Sequence, residues 1–335
     1  MLHKIRLLVY ILLLSLILLG TGCTKEDKLH KIKKTDFAMG TILRITVLDS
    51  SEENARHALD LAFQEINRIG SLFYKGNPQS PIYKFNHRQR DKIQMPLEVL
   101  KLIARSQKIS RATRGSFDMT IEPLLHLYKF SGDSLKPPEK PLIDSIKEQV
   151  GYQKITVDLE NRTISARDKH SRLATGGNAK GYAVDRAIAI LDSLNVDGAL
   201  VNAGGDLRVL PRSDGRKWTV GIQHPRKINQ TIAVIAIDSG AVTTSGDYEQ
   251  YYMHEGKRYH HIINPKTGYP ARASRSTTVI APTAELADAL ATGLFILGYQ
   301  KGIKVLEQFT DCQAFWIDST GQQHRSIGLV KFLQE

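Results

Sequence analysis

Apolar and polar positions alternate over 41–48, with Leu43, Ile45 and Val47 set against Ile42, Arg44 and Thr46. This period of two predicts a half-buried strand. The period then lengthens. Ala55, Leu59, Ala62, Phe63, Ile66 and Ile69 recur at helical spacing over 52–69, which predicts a helix with one apolar stripe of ordinary core. A second helix is predicted over 97–113, closed by Arg114-Gly115, and the three prolines of 131–141 mark an exposed connection. Short strands at 154–157 and 163–166, a glycine-rich turn and a helix over 179–194 come next. Six β-rich stretches follow, at 200–202, 206–210, 218–223, 232–237, 250–253 and 258–263. Turn residues separate them, which favours antiparallel pairing over βαβ alternation. Helices over 284–297 and 301–308 and a strand at 314–317 complete the chain. The expected class is α+β, with largely antiparallel sheets and packed helices and no internal repeat.

The first residues follow a different pattern. Lys4 and Arg6 precede an apolar run of 13 residues, Leu7 to Leu19, too short to span a bilayer comfortably. Gly20, Thr21 and Gly22 then lead to Cys23. This is the layout of an export signal, and the small residues before Cys23 resemble a bacterial lipobox, whose cysteine is lipidated and becomes the new N-terminus. The expected organisation is a signal peptide over 1–22, a lipid-anchored tether over 23–36 and a folded domain over 37–335. An uncleaved signal anchor is the alternative. With Cys23 lipidated, Cys312 is the one remaining cysteine, so no intramolecular disulfide is available.

Composition adds a preference for anions. The formal charge is +12, and residues 1–22 hold two bases and no acid, which leaves +10 for the rest. The bases are dispersed, with no zinc-finger spacing or RNA-binding aromatic signature, so no nucleic-acid partner is expected. A phosphate-bearing small molecule or an anionic membrane surface accounts for the charge.

Several stretches could carry chemistry. Ala174-Thr-Gly-Gly-Asn-Ala-Lys-Gly-Tyr-Ala-Val-Asp185 sets glycines before a helix, where free N–H groups and the helix dipole can meet phosphate. Lys180 adds charge there, although Gly181 after it rules out a Walker A loop. A structural helix start explains the same residues. Asn202-Ala-Gly-Gly-Asp206 reads either as a tight strand connection or as a place of close backbone approach to a ligand. Asp288, Ala291 and Thr292 share one helical face, and a carboxylate with a hydroxyl suits Mg²⁺ completed by phosphate and water. A helix-terminal hydrogen-bond network is the plainer reading of Asp288. His260 and His261 are neighbours on a predicted strand, so they point to opposite faces. One is expected to work, as a general base for instance, and the other to pack or face water.

Taken together these segments resemble the ApbE-like FAD:protein FMN transferase family. The resemblance rests on Met39-Gly40-Thr41, Gly115-Ser-Phe-Asp-Met-Thr120 with Pro123-Leu124, Ala179-Lys-Gly-Tyr-Ala-Val-Asp185 and Val201-Asn-Ala-Gly-Gly-Asp206. Thr244-Ser-Gly-Asp-Tyr248, His261-Ile-Ile-Asn-Pro-Lys-Thr-Gly268 and Asp288-Ala-Leu-Ala-Thr292 extend it. The resemblance implies cleavage of the FAD pyrophosphate, release of AMP and esterification of FMN to a threonine or serine of a target protein. It implies flavin contacts at Met39, Tyr74, Ser116, Phe117, Asp118, Lys180 and Ile262, the last through its backbone. It implies a Mg²⁺ site at Gly177, Asp288, Ala291 and Thr292, and His261 as the catalytic residue. Acceptors would be subunits of respiratory flavoprotein complexes (Rnf- and Nqr-like), and the enzyme would sit lipid-anchored on the extracytoplasmic side of a bacterial cell membrane. Ala174 stands where many relatives have Asp, and Asn264 and Lys266 flank Pro265 where Asp and Arg are common.

Two rivals share these residues. A metal-dependent FAD pyrophosphatase would use water in place of the protein hydroxyl. A non-catalytic lipid-anchored flavin-binding protein would explain the tether, the charge and the glycine turns, but not Asp288 with Thr292 and His261.

Overall fold

The computed structural model describes residues 29–132, 135–227 and 229–334. The expected signal segment over 1–22 and Cys23 lie outside these residues. The chain begins with strands β1 (His30–Ala38) and β2 (Thr41–Asp49), followed by α1 (Glu52–Phe73), α2 (Pro81–Asn86), β3 (Lys92–Gln94) and α3 (Leu97–Ala112). Next come α4 (Glu122–Leu125), α5 (Lys140–Lys147), β4 (Ile155–Asp158), β5 (Thr163–Ala166) and α6 (Ala179–Ser193). A run of strands follows: β6 (Gly198–Ala203), β7 (Asp206–Leu210), β8 (Trp218–Gln223), β9 (Thr231–Ile237), β10 (Gly240–Gly246), β11 (Tyr251–His254), β12 (Lys257–His260) and β13 (Ser274–Ala281). Helices α7 (Ala284–Leu297) and α8 (Tyr299–Leu306) and strands β14 (Gln313–Asp318) and β15 (Gln323–Arg325) close the chain.

Eight strands form one sheet in the order β1-β2-β6-β7-β10-β13-β14-β15, and every neighbouring pair is antiparallel. Side-chain alternation sends Ala199, Val201 and Ala203 of β6 into the core shared with α1, α6 and α7, while Leu200 faces the β8–β9 ribbon on the other side. Burial on both faces is the reason the inner strands lack a clean polar alternation. The α+β expectation therefore holds, and the sheet is wholly antiparallel.

The helices start where the sequence supplies caps. Ser51 accepts the Asn54 N–H at 3.2 Å, and Glu52 and Glu53 occupy the positive end of α1. Helix α7 is capped partly from outside: Asp185 of α6 accepts the N–H groups of Ala284 and Glu285 at 2.8 and 2.9 Å. The two helices meet closely at Gly181, where a Cβ would lie 2.3 Å from the Ala284 carbonyl oxygen. Both interactions fix how far Lys180 stands from Asp288.

Three features differ from the sequence reading. The first described strand, β1, starts at His30, within the residues expected to form the tether, and pairs with β2 along its whole length. Strand β1 is an edge strand exposed over most of its residues, so it carries no apolar alternation to reveal it. Strands β10 and β13, at the middle of the sheet, are rich in Ser and Thr, and Thr243, Ser276, Thr277 and Thr278 are buried; hydroxyl side chains hid them. Helix α5 starts at Lys140, within the expected connection 131–141.

Candidate active site

Four segments converge on one cleft of about 460 Å³. The glycine turn ahead of α6 brings Gly177 and Lys180, the start of β7 brings Asp206, α7 brings Asp288 and Thr292, and the segment after β12 brings His261. Ser116, Phe117, Asp118 and Ile262 line it as well. A second cleft, about 930 Å³, holds Met39 and Tyr74 and shares Lys75, Leu125, Ala174, Gly176 and Lys180 with the first. Together they offer a continuous, two-lobed space of the size a dinucleotide needs.

The charged floor is organised around Lys180. Its ammonium pairs with the Asp206 carboxylate. Burial works against its charge, but Asp206 and Asp288 outweigh that effect and raise its pKa, so it stays protonated. Asp288 is 4% exposed, and its one hydrogen bond, from the Gly181 N–H, is long at 3.3 Å. Burial, then the neighbouring Asp206, pushes its carboxyl above the usual range. A buried, under-bonded carboxyl of this kind in a cleft is a functional-site candidate. The Thr292 hydroxyl stands 3.3 Å from that of Ser245, and a Cβ on Gly177 would lie 3.7 Å from Thr292 Oγ1. Among the described residues no three His, Cys, Asp or Glu side chains form a metal cluster. One carboxylate, two hydroxyls and a neighbouring backbone suit a hard cation that takes its remaining ligands from phosphate and water. Ala291 stands apart from this set: its methyl is fully buried in the main core and does not line the cleft.

The two histidines part as their neighbouring positions require, although β12 ends at His260 and His261 lies one residue beyond it. His260 packs edge-on against Phe295, with centroids 5.6 Å apart, and a ring nitrogen meets the Ala271 carbonyl at 2.8 Å. His261 lines the cleft, and its buried Nδ1 has no hydrogen-bond partner among the described residues. Burial pushes its pKa down to about 4, with the Gln250 backbone opposing and Lys180 reinforcing the shift. The ring is thus neutral at pH 7.

The expected flavin contacts separate into two groups. Met39 sits in the β1–β2 turn at φ +50 followed by Gly40 at +75, the backbone of a two-residue hairpin turn, and its side chain packs over Gly70, where a Cβ would come 3.1 Å from Met39 Cγ. Tyr74 is 63% exposed beside the second cleft. Phe117 and Ser116 are buried in the first cleft's wall. Asp118 lines that wall but spends both carboxylate oxygens within the chain, on Thr120 and on the Tyr152 N–H. The backbone of Ile262 is likewise engaged, its carbonyl accepting the Ala271 N–H at 3.0 Å and its N–H meeting His260 Nδ1 at 3.3 Å.

Sequence reasoning left Asp206, Ser245 and Lys75 without roles. The Asp206 signal was present in the glycine pair before it, since Gly204 and Gly205, at φ +63 and +99, turn the chain so that β7 begins inside the cleft. Gly204 also abuts Thr41, whose Oγ1 would be 2.1 Å from a Cβ there, so that glycine answers to a tight connection first. Lys75, ion-paired to Glu122 at 2.6 Å, gave no signal at all.

An antiparallel sheet with helices on one face carries a lysine, two carboxylates and a neutral histidine in a two-lobed cleft, an arrangement suited to an anionic ligand. The sequence model of the ApbE family matches residues 39–316. The Haemophilus influenzae FAD:protein FMN transferase is 31% identical, covering 86% of each chain, and that of Treponema pallidum is 26% identical over 94% of this chain and 92% of its own. Among solved structures, an ApbE protein from Thermotoga maritima superposes with TM-score 0.84 at 34% identity, covering 91% of this chain and all of that one. The Pseudomonas stutzeri flavinyl transferase ApbE gives 0.76 at 26% identity over 89% and 94%. The chain belongs to the ApbE family, and it is a transferase.

Proposed function

We propose that this protein transfers FMN from FAD to a threonine or serine hydroxyl of another protein, with Mg²⁺ at the Asp288–Thr292 end of the cleft and AMP as the leaving group. The observation that carries the reading is the meeting of His261, Lys180 and Asp288 in the first cleft, with Lys180 also lining the second. The acceptor oxygen bonds to the FMN phosphorus while its proton passes to a ring nitrogen of His261; the bond from that phosphorus to the bridging oxygen breaks, and its electron pair stays with AMP. Lys180 offsets charge on the pyrophosphate, and its own N–H, in the first turn of α6, which has no side-chain cap, can hold phosphate oxygen. Asp288, Thr292 and the Gly177 backbone would hold Mg²⁺, which supplies charge neutralisation to the pyrophosphate when bound.

The acceptors proposed are subunits of Rnf- and Nqr-like respiratory complexes, met on the extracytoplasmic face by an enzyme lipidated at Cys23. Cys23→Ser should shift the protein out of the membrane fraction; unchanged fractionation would contradict the anchor. For the chemistry, incubation with FAD, Mg²⁺ and candidate acceptor subunits should add one FMN to the acceptor by intact mass, and chelation of Mg²⁺ should prevent it. An acceptor that never gains mass, while FAD is consumed, would favour hydrolysis.

A further inference from the structure

A third cleft, about 700 Å³, lies on the opposite face of the sheet from the helices. Its wall is the consecutive run Thr219 to Gln223 of β8, its floor includes Leu200, and its far side is the Gly204-Gly205 turn. Strand β8 pairs with β9 alone, so its second edge has no strand partner among the described residues. The Gly205 position opens onto space, with no atom within 4 Å of where a Cβ would be. At one end this cleft shares Thr244, Glu249 and Gln250 with the cleft that holds His261.

From this juxtaposition we infer that the third cleft is the acceptor's docking groove: an extended segment of the acceptor polypeptide adds to the free edge of β8 and delivers its hydroxyl past Thr244 and Gln250 to His261. The inference rests on the transfer reading and specifies where its second substrate binds. An exposed strand edge offers main-chain hydrogen bonds to any extended segment. Gly205, where a Cβ would meet no atom within 4 Å, keeps a side chain out of the groove, as close backbone approach requires. The groove meets the His261 cleft at Thr244, Glu249 and Gln250, so a segment lying in it would end beside the reacting centre while FAD occupies the other two clefts, as direct transfer demands. An exposed, polar-rimmed path is suited to a polypeptide more than to a second nucleotide, because Thr219, Gly221 and Gln223 on its wall carry no charge.

Two measurements test this with the wild-type protein and an acceptor subunit shown to gain FMN. In hydrogen exchange, the same subunit with its target threonine replaced by alanine should slow exchange at 219–223 when FAD is present. Leu200→Trp, which fills the floor of the groove and touches neither FAD cleft, should raise the acceptor KM at least ~10-fold while FAD affinity stays at the wild-type value; Leu200→Ala should leave the acceptor KM within about two-fold. Exchange that is unchanged at 219–223, or a normal acceptor KM in a folded, FAD-binding Leu200→Trp protein, would overturn the groove and leave the transfer reading standing. Should the Trp variant fail to fold, the exchange result decides. A wild-type protein that flavinylates no acceptor would overturn both.

Discussion

At the residue scale the two adjacent histidines carry opposite expectations. His261→Ala should lower transfer by roughly 10²–10⁴-fold, the usual worth of a general base, while FAD binding followed by flavin fluorescence persists. His260→Ala removes a ring packed on Phe295 and bonded to Ala271, so it should lower the melting temperature and leave the rate per folded molecule close to wild type. Loss of FAD binding and transfer together in His261→Ala would remove the base assignment. Asp288 gives a second contrast. Its carboxylate is buried beside Asp206 with one long hydrogen bond, so without metal it is an electrostatic burden on the fold. Asp288→Asn should therefore raise the melting temperature in chelator, abolish the stabilisation that added Mg²⁺ gives the wild type, and abolish transfer. A variant that still gains stability from Mg²⁺ would place the ion elsewhere. Most of these residues were legible because their types are rare in a core; what the sequence withheld is their present engagement, such as the two oxygens of Asp118 already bonded to Thr120 and Tyr152.

At the scale of elements, the α6–α7 contact sets the site. Gly181 lets the helices approach, Asp185 caps α7, and Arg105 pairs with Glu285 at 2.7 Å on the same turn. Gly181→Ala places a methyl against the Ala284 carbonyl and the Glu285 N–H, neither of which can rotate away. Overpacking of this kind costs about 1–3 kcal/mol, measurable by urea unfolding, and it should weaken Mg²⁺ binding more than FAD binding because it separates Lys180 from Asp288. Wild-type stability in Gly181→Ala would show that the helices can adjust. The helices themselves were readable to within a few residues, since 97–113, 179–194 and 284–297 each carry a stripe or a cap. The strands β10 and β13 were not. GAVTTSG and SRSTTVIA lack apolar alternation because both faces of these central strands are covered and small hydroxyl side chains fit the tight space there. The exposed edge strand β1 was missed for the reverse reason, having little core to face.

For the whole molecule, the buried histidines link stability to pH. His260 and His261 are both pushed by burial from 6.5 to about 4. Between those values the unfolded chain binds protons that the folded chain does not, so stability is full above about 6.5 and falls as the pH drops towards 4. Urea midpoints at pH 7 and pH 5 should show that loss, and His260→Gln should reduce it; a midpoint flat across the window would mean the rings protonate freely when folded. The class of fold and most of its helices could be read in advance, whereas the meeting of three clefts could not, because it depends on which face of the sheet the β8–β9 ribbon covers. On the proposed mechanism the two joined clefts move FMN from FAD directly onto a protein hydroxyl. A single-turnover reaction of enzyme-bound FAD with an acceptor subunit, in which AMP, free FMN and FMN-bearing acceptor are counted together, tests it most directly. Direct transfer gives one FMN-bearing acceptor for each AMP released and little free FMN; AMP matched by free FMN, with the acceptor unmodified, would rule it out.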